Sequence, residues 1–578
     1  GQASLFENTL GSKSIAVGRG TLQNQNFTTA TDSHNTAVGH EAGNDITTGL
    51  QNTLIGSTSG DALTDADKNV ALGFAALGTD TLGSKSTAVG DSALGSQNFT
   101  TATDTLNTAV GFEAGARVTT ATSNTLIGGL AGDHLTTGAA NVALGASALG
   151  ADTLGQHNVA IGYQALDAQN FTTTTNAYNV AVGSAAGSAV TTGVQNTLVG
   201  GLAGDALTTG EDNVALGYAA LSSDDVGNHS TAIGHGALFS QNYATATDSQ
   251  NTAVGYNAGN AVTTGTLSTF VGAFSGDAQT TGSRNVAVGY SSLSGNTLGK
   301  KNVAVGGGAL ELLNLTTDVD AYNTAVGHEA GNSVSTGIGN TLIGGLAGDA
   351  LTDADNNTVL GRAALSVDTL GSKTVAIGYE ALNVQNFTTA TDSFNTAVGY
   401  QAGAAVSTGV QNTLIGGLAG DALTDADNNI AIGYVALSSD TLGSSSVAIG
   451  TSALATQNFT TATNSYNIAI GRNAGTSVTT GLNNTLIGGT AADALTTGDS
   501  NTVVGRGALG DDTKGNKTVA IGQDALNAQN FTTSTDSNNT AVGFSAGVSV
   551  STGLNNVIIG SLAGAANADM SGETPLTT

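Results

Sequence analysis

One five-residue unit, copied at fixed intervals, constrains this chain more than any other feature. It reads Asn/Ser/Thr, then Thr/Val/Ile, a mainly Ala or Leu position, Val/Ile/Leu, and Gly. Examples are Asn35-Thr36-Ala37-Val38-Gly39, Asn52-Thr53-Leu54-Ile55-Gly56 and Asn69-Val70-Ala71-Leu72-Gly73. The unit occurs 31 times, and successive starts at 14, 35, 52, 69 and 86 are spaced by 21, 17, 17 and 17 residues. That cycle defines a 72-residue module, with starts at 14, 86, 158, 230, 302, 374, 446 and 518. A strict internal period must be read before any local secondary structure, because each copy can bury its apolar face only against its neighbours.

The unit itself is a strand signal. β-branched and apolar residues end at Gly and are followed by about a dozen residues rich in Ala, Gly, Thr and Asn; no helical periodicity appears. The predicted class is therefore all-β, a parallel β-solenoid with 17- and 21-residue coils. Like residues stack over like, with strands about 4.8 Å apart. The closing glycines, Gly39, Gly56, Gly73 and Gly90 in the first module, read as corners needing positive φ or close backbone approach. Asn35, Asn52 and Asn69 read as a stacked polar ladder. Residues 14–572 are expected to form one shaft about 150 Å long. Residues 1–13 align with 73–85 and read as a partial coil of an upstream repeat, which suggests a segment of a longer protein. Residues 573–578 read as a boundary, since Pro575 is unique and Met570 just before it is too.

Composition narrows the function classes. The 578 residues include 83 Gly, one Pro and no Cys or Trp, and only 10% are charged, unlike an ordinary enzyme. A net charge of −29 with 14 Lys and Arg disfavours a nucleic-acid partner. No apolar run reaches the ~18 residues of a membrane-spanning helix, so this segment is not expected to insert in a membrane.

Alternation along the strand points Thr36 and Val38 one way and Ala37 the other; Leu54 likewise opposes Thr53 and Ile55. Both faces are then largely apolar. A solitary solenoid would expose a long apolar stripe, and lateral association of identical chains is the simplest cover.

The Asn-Thr-Ala-Val-Gly and Asn-Val-Ala-Ile-Gly strands, with a small residue three positions past the Gly (Ala42, Ala76, Ala165), resemble YadA-type head repeats of trimeric autotransporter adhesins. They also resemble the repeats of bacterial and phage tail-fibre-like proteins. The resemblance covers residues 14 to about 572. It implies a left-handed β-roll and a homotrimer, or a filament of such units. The coils here are longer than in those heads. The implied location is extracellular, on a cell surface or virion.

Chemistry is sparse. The seven His share no constellation. Third-coil corners carry Asp61, Asp349 and Asp421, and the same modules add Asp65 with Asp67, Asp353 with Asp355, and Asp425 with Asp427. Alternate carboxylates can offer oxygen to calcium, although the glycine and final glutamate of an EF-hand loop are missing, and Asx turns explain them too. The four extra residues of the 21-residue coil are centred on Gln-Asn-Phe-Thr-Thr and carry Phe27, Phe99, Phe171, Phe387, Phe459 and Phe531. These aromatics read either as packing residues or as sugar contacts. Beside them lie the sequons of Asn26, Asn98, Asn170, Asn386, Asn458 and Asn530, acceptors in a glycosylating system. The insertion is expected to interrupt the flat Thr array that an ice-binding face would need.

The expected function is a non-enzymatic structural shaft of an extracellular fibre, spacing or adhesive, on a bacterial surface or filament. The alternative is the shaft of a phage tail fibre with a receptor-binding tip. Its partners are copies of itself and a surface glycan or host receptor. A carbohydrate-active β-helix enzyme is the weakest reading, because no module breaks the repeat to build a paired-carboxylate cleft.

Overall fold

The computed structural model describes residues 1–566 and the backbone strand Leu576–Thr577. The chain divides into two compact units, Gly1–Asn285 and Val286–Thr578, and each is built by the same rule. Among the described residues there is no helix, and 31 three-residue strands follow one another, each hydrogen-bonded in parallel to its neighbours within its unit. This is the parallel β-solenoid expected from the period.

Each strand is shorter than the repeated unit. It comprises only the three central residues, as in Thr36–Val38, Thr53–Ile55 and Val70–Leu72, while the flanking Asn and Gly turn the corners. Stacking is in strict register: Thr36 lies against Thr53, Ala37 against Leu54, and Val38 against Ile55. Register also survives the long coil, where Thr87 pairs Thr108 and Val89 pairs Val110. The insertion therefore leaves the strand register intact. Its extra residues are absorbed in the turn, where they add a short second rung of Gly83–Ser84 against Thr103–Asp104. Residues 1–13 already stack on the first repeat, with the Leu5 and Glu7 amides donating to the Thr21 and Gln23 carbonyls.

Two columns hold the coils together. The corner glycines sit at positive φ, +144° for Gly39 and +137° for Gly56. A Cβ on Gly39 would meet the Gly56 carbonyl oxygen at 2.3 Å, and one on Gly56 would meet that of Gly73 at 2.2 Å. Only glycine lets the backbones approach so closely. The second column is the asparagine ladder. Asn35 Oδ1 accepts from the Asn52 amide at 2.8 Å and Asn52 Oδ1 from the Asn69 amide at 2.9 Å. Each Nδ2 donates across the coil: Asn35 to the Gly49 carbonyl, Asn52 to that of Ala66 and Asn69 to that of Gly83. These side chains are fully buried, so the ladder satisfies main-chain groups that no water reaches.

Between the columns lies a thin apolar core. Ala37, Leu54, Ala71 and the small residues Ala42 and Ala76 are all fully buried, together with Leu22, Ile46 and Leu63. The core is only about two side chains deep. That is why an aromatic at the middle strand position, Phe270, is flanked by Gly259 and Gly276.

The glycine column yields a paired test. Gly56→Ala strains φ and forces a backbone clash, and should cost about 2–6 kcal/mol in denaturant unfolding. A methyl added at Gly129 would have nothing within 4 Å, and the residue has no positive φ, so Gly129→Ala should change stability by less than about 0.5 kcal/mol. Equal effects at the two positions would refute the close-approach account.

Candidate functional site

The middle strand residue is buried and its two neighbours point out, as alternation requires. Val70 and Leu72 are 38% and 42% exposed on either side of the buried Ala71, and Ile15, Val17, Ile55 and Leu144 are exposed likewise. The outward positions are Thr, Val or Ile at the start of the strand and Val, Ile or Leu at its end. Among the described three-residue strands no charged residue occupies any of them. A stripe without charge thus runs along each unit of a strongly acidic chain.

Two further columns flank the stripe. Just past the corner glycine stand Phe112, Tyr163, Tyr218, Tyr256, Tyr400 and Tyr434, and just before the ladder asparagine stand Leu106, Tyr178, Tyr322, Phe394 and Tyr466; all are about half-exposed. In the second coil of two modules both flanks are apolar, giving the rows Leu106-Thr108-Val110-Phe112 and Phe394-Thr396-Val398-Tyr400. Coil stacking brings the rings of Tyr218 and His235 to 5.3 Å and those of Tyr379 and Tyr400 to 5.5 Å. These flanking aromatics fall outside the five-residue unit and were missed in the sequence, although their fixed offset from the Gly and the Asn would have revealed them.

A buried polar cluster was also missed. At the end of most fourth coils an aspartate lies inside: Asp80, Asp152, Asp224, Asp368, Asp440 and Asp512 are fully buried. Asp368 Oδ1 accepts from the amides of Gly371 and Phe387, and its Oδ2 accepts from Gln385 Nε2 at 2.6 Å. Gln385 Oε1 in turn accepts from the ladder residue Asn395 at 2.8 Å. The same Asp-Gln pair joins the ladder to the insertion at Asp152 with Gln169, whose Oε1 accepts from Asn179. Burial pushes the carboxyls of Asp152, Asp224 and Asp368 above their usual range, against the opposing effect of the amide donors. In one module the pair is replaced by Asn296 and a buried Leu313, a neutral version of the same corner.

The insertion aromatics pack inward. Phe27, Phe99, Phe171, Phe387, Phe459 and Phe531 are only 5–6% exposed, which settles the choice between packing and sugar contact in favour of packing. They fill the solenoid of their own chain, and the rings of Phe387 and Phe459 lie where a Cβ on Gly371 or Gly443 would be, at 2.8 and 2.7 Å.

The calcium candidates are bonded from coil to coil. Asp65, Asp353 and Asp425 accept hydroxyl hydrogens from Thr48, Thr336 and Thr408 one coil back. Asp67, Asp355 and Asp427 accept the amides of Leu50, Ile338 and Val410. Asp61, Asp349 and Asp421 sit apart at the third-coil corner, where burial pushes their carboxyls up. Among the described residues no group of three or more His, Cys, Asp or Glu is brought close enough to hold a metal ion. Near Asp61 there is instead an open groove of about 600 Å³ lined also by Gly78, Ser96, Glu113 and Arg117. Among the described residues no helix is long and apolar enough to cross a membrane. Comparison with models of known families and with curated proteins finds no match.

The buried pair predicts a pH signature. Because burial holds the folded-state carboxyl of Asp368 above its unfolded value, the stability this group contributes falls as pH rises through that window. Gln385→Leu removes the side-chain donor, so it should destabilise by about 2–4 kcal/mol at neutral pH and progressively less towards about pH 4. Adding Asp368→Asn recreates the Asn296-Leu313 corner and should recover most of the loss. Urea titrations across pH check this; a pH-independent loss in the single variant would contradict it.

Proposed function

We propose that this chain is a non-enzymatic structural shaft of an extracellular fibre, in which identical copies associate laterally through the outward strand stripe. The observation that carries this reading is the stripe itself. In the N-terminal unit 15 strands, each about 10 Å long and spaced by about 4.8 Å, give a surface on the order of 700 Å². Threonine opens nine of these 15 strands, so the stripe is uncharged throughout and apolar mainly at the closing Val, Ile and Leu.

Charge selects the occupant. At −29 the chain repels its own copies everywhere except along this neutral stripe. A basic partner would bind the acidic flanks and leave the stripe uncovered, whereas a second copy covers it at every coil, since identical periods keep step. The flanking Tyr and Phe columns fit the same reading, as aromatics are enriched where protein surfaces meet. Three copies is the number that the resemblance to YadA-type heads implies. Adhesion to a surface glycan or receptor is then a property of the assembled fibre's exposed turns.

Light scattering on the purified chain at micromolar concentration tests the reading. A mass near three chains is expected. Aspartate at Val110, Val182, Val254, Val326 and Val398, all outward strand residues, should reduce it to one chain while leaving the far-ultraviolet circular dichroism unchanged. A wild-type chain that stays a monodisperse monomer overturns the proposal.

A further inference from the structure

The 21-residue insertion alternates strictly between inside and outside. Gln25 is buried, Asn26 exposed, Phe27 buried and Thr28 exposed, and the pattern recurs at Gln97-Asn98-Phe99-Thr100 and in later modules. Asparagine and the threonine two residues on therefore emerge on one side of the chain, with the aromatic anchored beneath them. The Asn side chain is also held in a defined way. Asn26 Oδ1 accepts the hydroxyl hydrogen of Thr9, one coil back, at 2.8 Å; Thr81 does the same to Asn98 at 3.1 Å and Thr153 to Asn170 at 3.0 Å. With the oxygen tied to the solenoid, the amide nitrogen is left towards solvent. Neither Nδ2 of these asparagines nor the hydroxyls of Thr28, Thr100 and Thr172 makes a hydrogen bond within the described chain.

The fold accounts for the asparagine oxygen and for the aromatic, but it makes no use of the amide nitrogen or of the second threonine. We propose that Asn26, Asn98, Asn170, Asn386, Asn458 and Asn530 are acceptors of an N-linked sugar on the folded solenoid. Asn314-Leu315-Thr316, which the aromatic pattern alone overlooks, is a seventh: Leu315 is 6% exposed and Thr297 binds Asn314 Oδ1 at 3.0 Å. The donor is a sugar activated as a glycosyl diphosphate, either nucleotide- or lipid-linked, acted on by a glycosyltransferase. A bond forms between Nδ2 and the anomeric carbon, the bond from that carbon to the diphosphate oxygen breaks, and the diphosphate leaves with the electron pair. Nδ2 gives up one proton to a base of the transferase.

Placement favours a row of sugars. Acceptors 72 residues apart are four coils apart, about 19 Å, enough to keep neighbouring glycans separate. They lie in the turns, in columns distinct from the outward strand residues, so modification leaves the stripe clear. Other Asn-x-Thr triplets are built differently. Asn356, Asn483 and Asn538 have left-handed backbones with φ of 58°, 56° and 48°, and the Thr of Asn516-Lys517-Thr518 is buried.

One module supplies an internal control. Asn242-Tyr243-Ala244 keeps the exposed asparagine and the buried ring, and the Asn242 amide makes the same 2.9 Å bond to the next coil as Asn26, but Ala replaces the second threonine and Asp225 stands where Thr81 and Thr153 tether the asparagine oxygen in other modules. The test incubates the folded full chain with a soluble N-glycosyltransferase and UDP-glucose in one arm, and with an oligosaccharyltransferase and lipid-linked oligosaccharide in the other. Intact mass and peptide mapping are then read. Addition at the seven asparagines and none at Asn242 is expected, in whichever arm supplies the usable donor. Thr388→Ala should abolish modification at Asn386 alone, and Ala244→Thr should create it at Asn242; both residues are exposed, so circular dichroism should not change. No added mass in either arm, or addition at Asn242 equal to that at its counterparts, overturns the proposal.

Discussion

The rest of this structure depends on the contact between corner glycines of successive coils. Each glycine backbone rests against the carbonyl of the next, closer than any Cβ would permit. That contact fixes the coil spacing, and the spacing in turn decides which side chains stack. The asparagine ladder fits this geometry because one side chain both receives the amide of the following coil and donates across its own. Neither column would suffice alone: glycine permits the approach, and asparagine supplies the hydrogen bonds that make it favourable in a dry interior.

A consequence is that the core is narrow and the strand short. Three residues per strand leave one side chain inside and two outside. At the middle strand position the chain thus buries mostly Ala or Leu, and at the two outer positions it presents Thr, Val, Ile or Leu. In an ordinary globular domain this would be an inverted arrangement. In the fibre proposed above, these outward residues are the surface that a second copy would cover. The acidic residues, kept to turns and corners, oppose association everywhere else.

Much of this was legible in the sequence, for a physical reason. A strict period makes every coil subject to the same constraint, so Gly39, Gly56 and Gly73 could be read as close-approach corners and Asn35, Asn52 and Asn69 as a ladder without knowledge of the turns. Alternation likewise gave the direction of Thr36, Ala37 and Val38. Contacts between residues in different coil types were not legible. The link of Asp368 to Gln385 spans 17 residues, and in sequence it looks like two unrelated polar residues. How the insertion is accommodated was not legible either: it adds a rung of Gly83–Ser84 against Thr103–Asp104 while Thr87 and Thr108 pair as directly as any 17-residue neighbours. The turn geometry was hidden too: His34, Gln51, Lys68 and Lys85 all adopt left-handed backbones with φ between 54° and 63°, which side chains with a Cβ seldom signal.

Amide hydrogen exchange around a single ladder deletion tests the central claim most directly. In Asn412→Ala the Asn429 amide loses its acceptor, the Ala426 carbonyl loses its donor, and the Asn395 carboxamide oxygen loses the Asn412 side chain. Two orphaned main-chain groups at about 1–3 kcal/mol each should raise exchange in the coils on both sides of residue 412 by at least about tenfold, and leave the N-terminal unit unchanged. Unaltered protection of the Asn429 amide would mean that the coils are held without the ladder, contradicting the joint role of the glycine and asparagine columns.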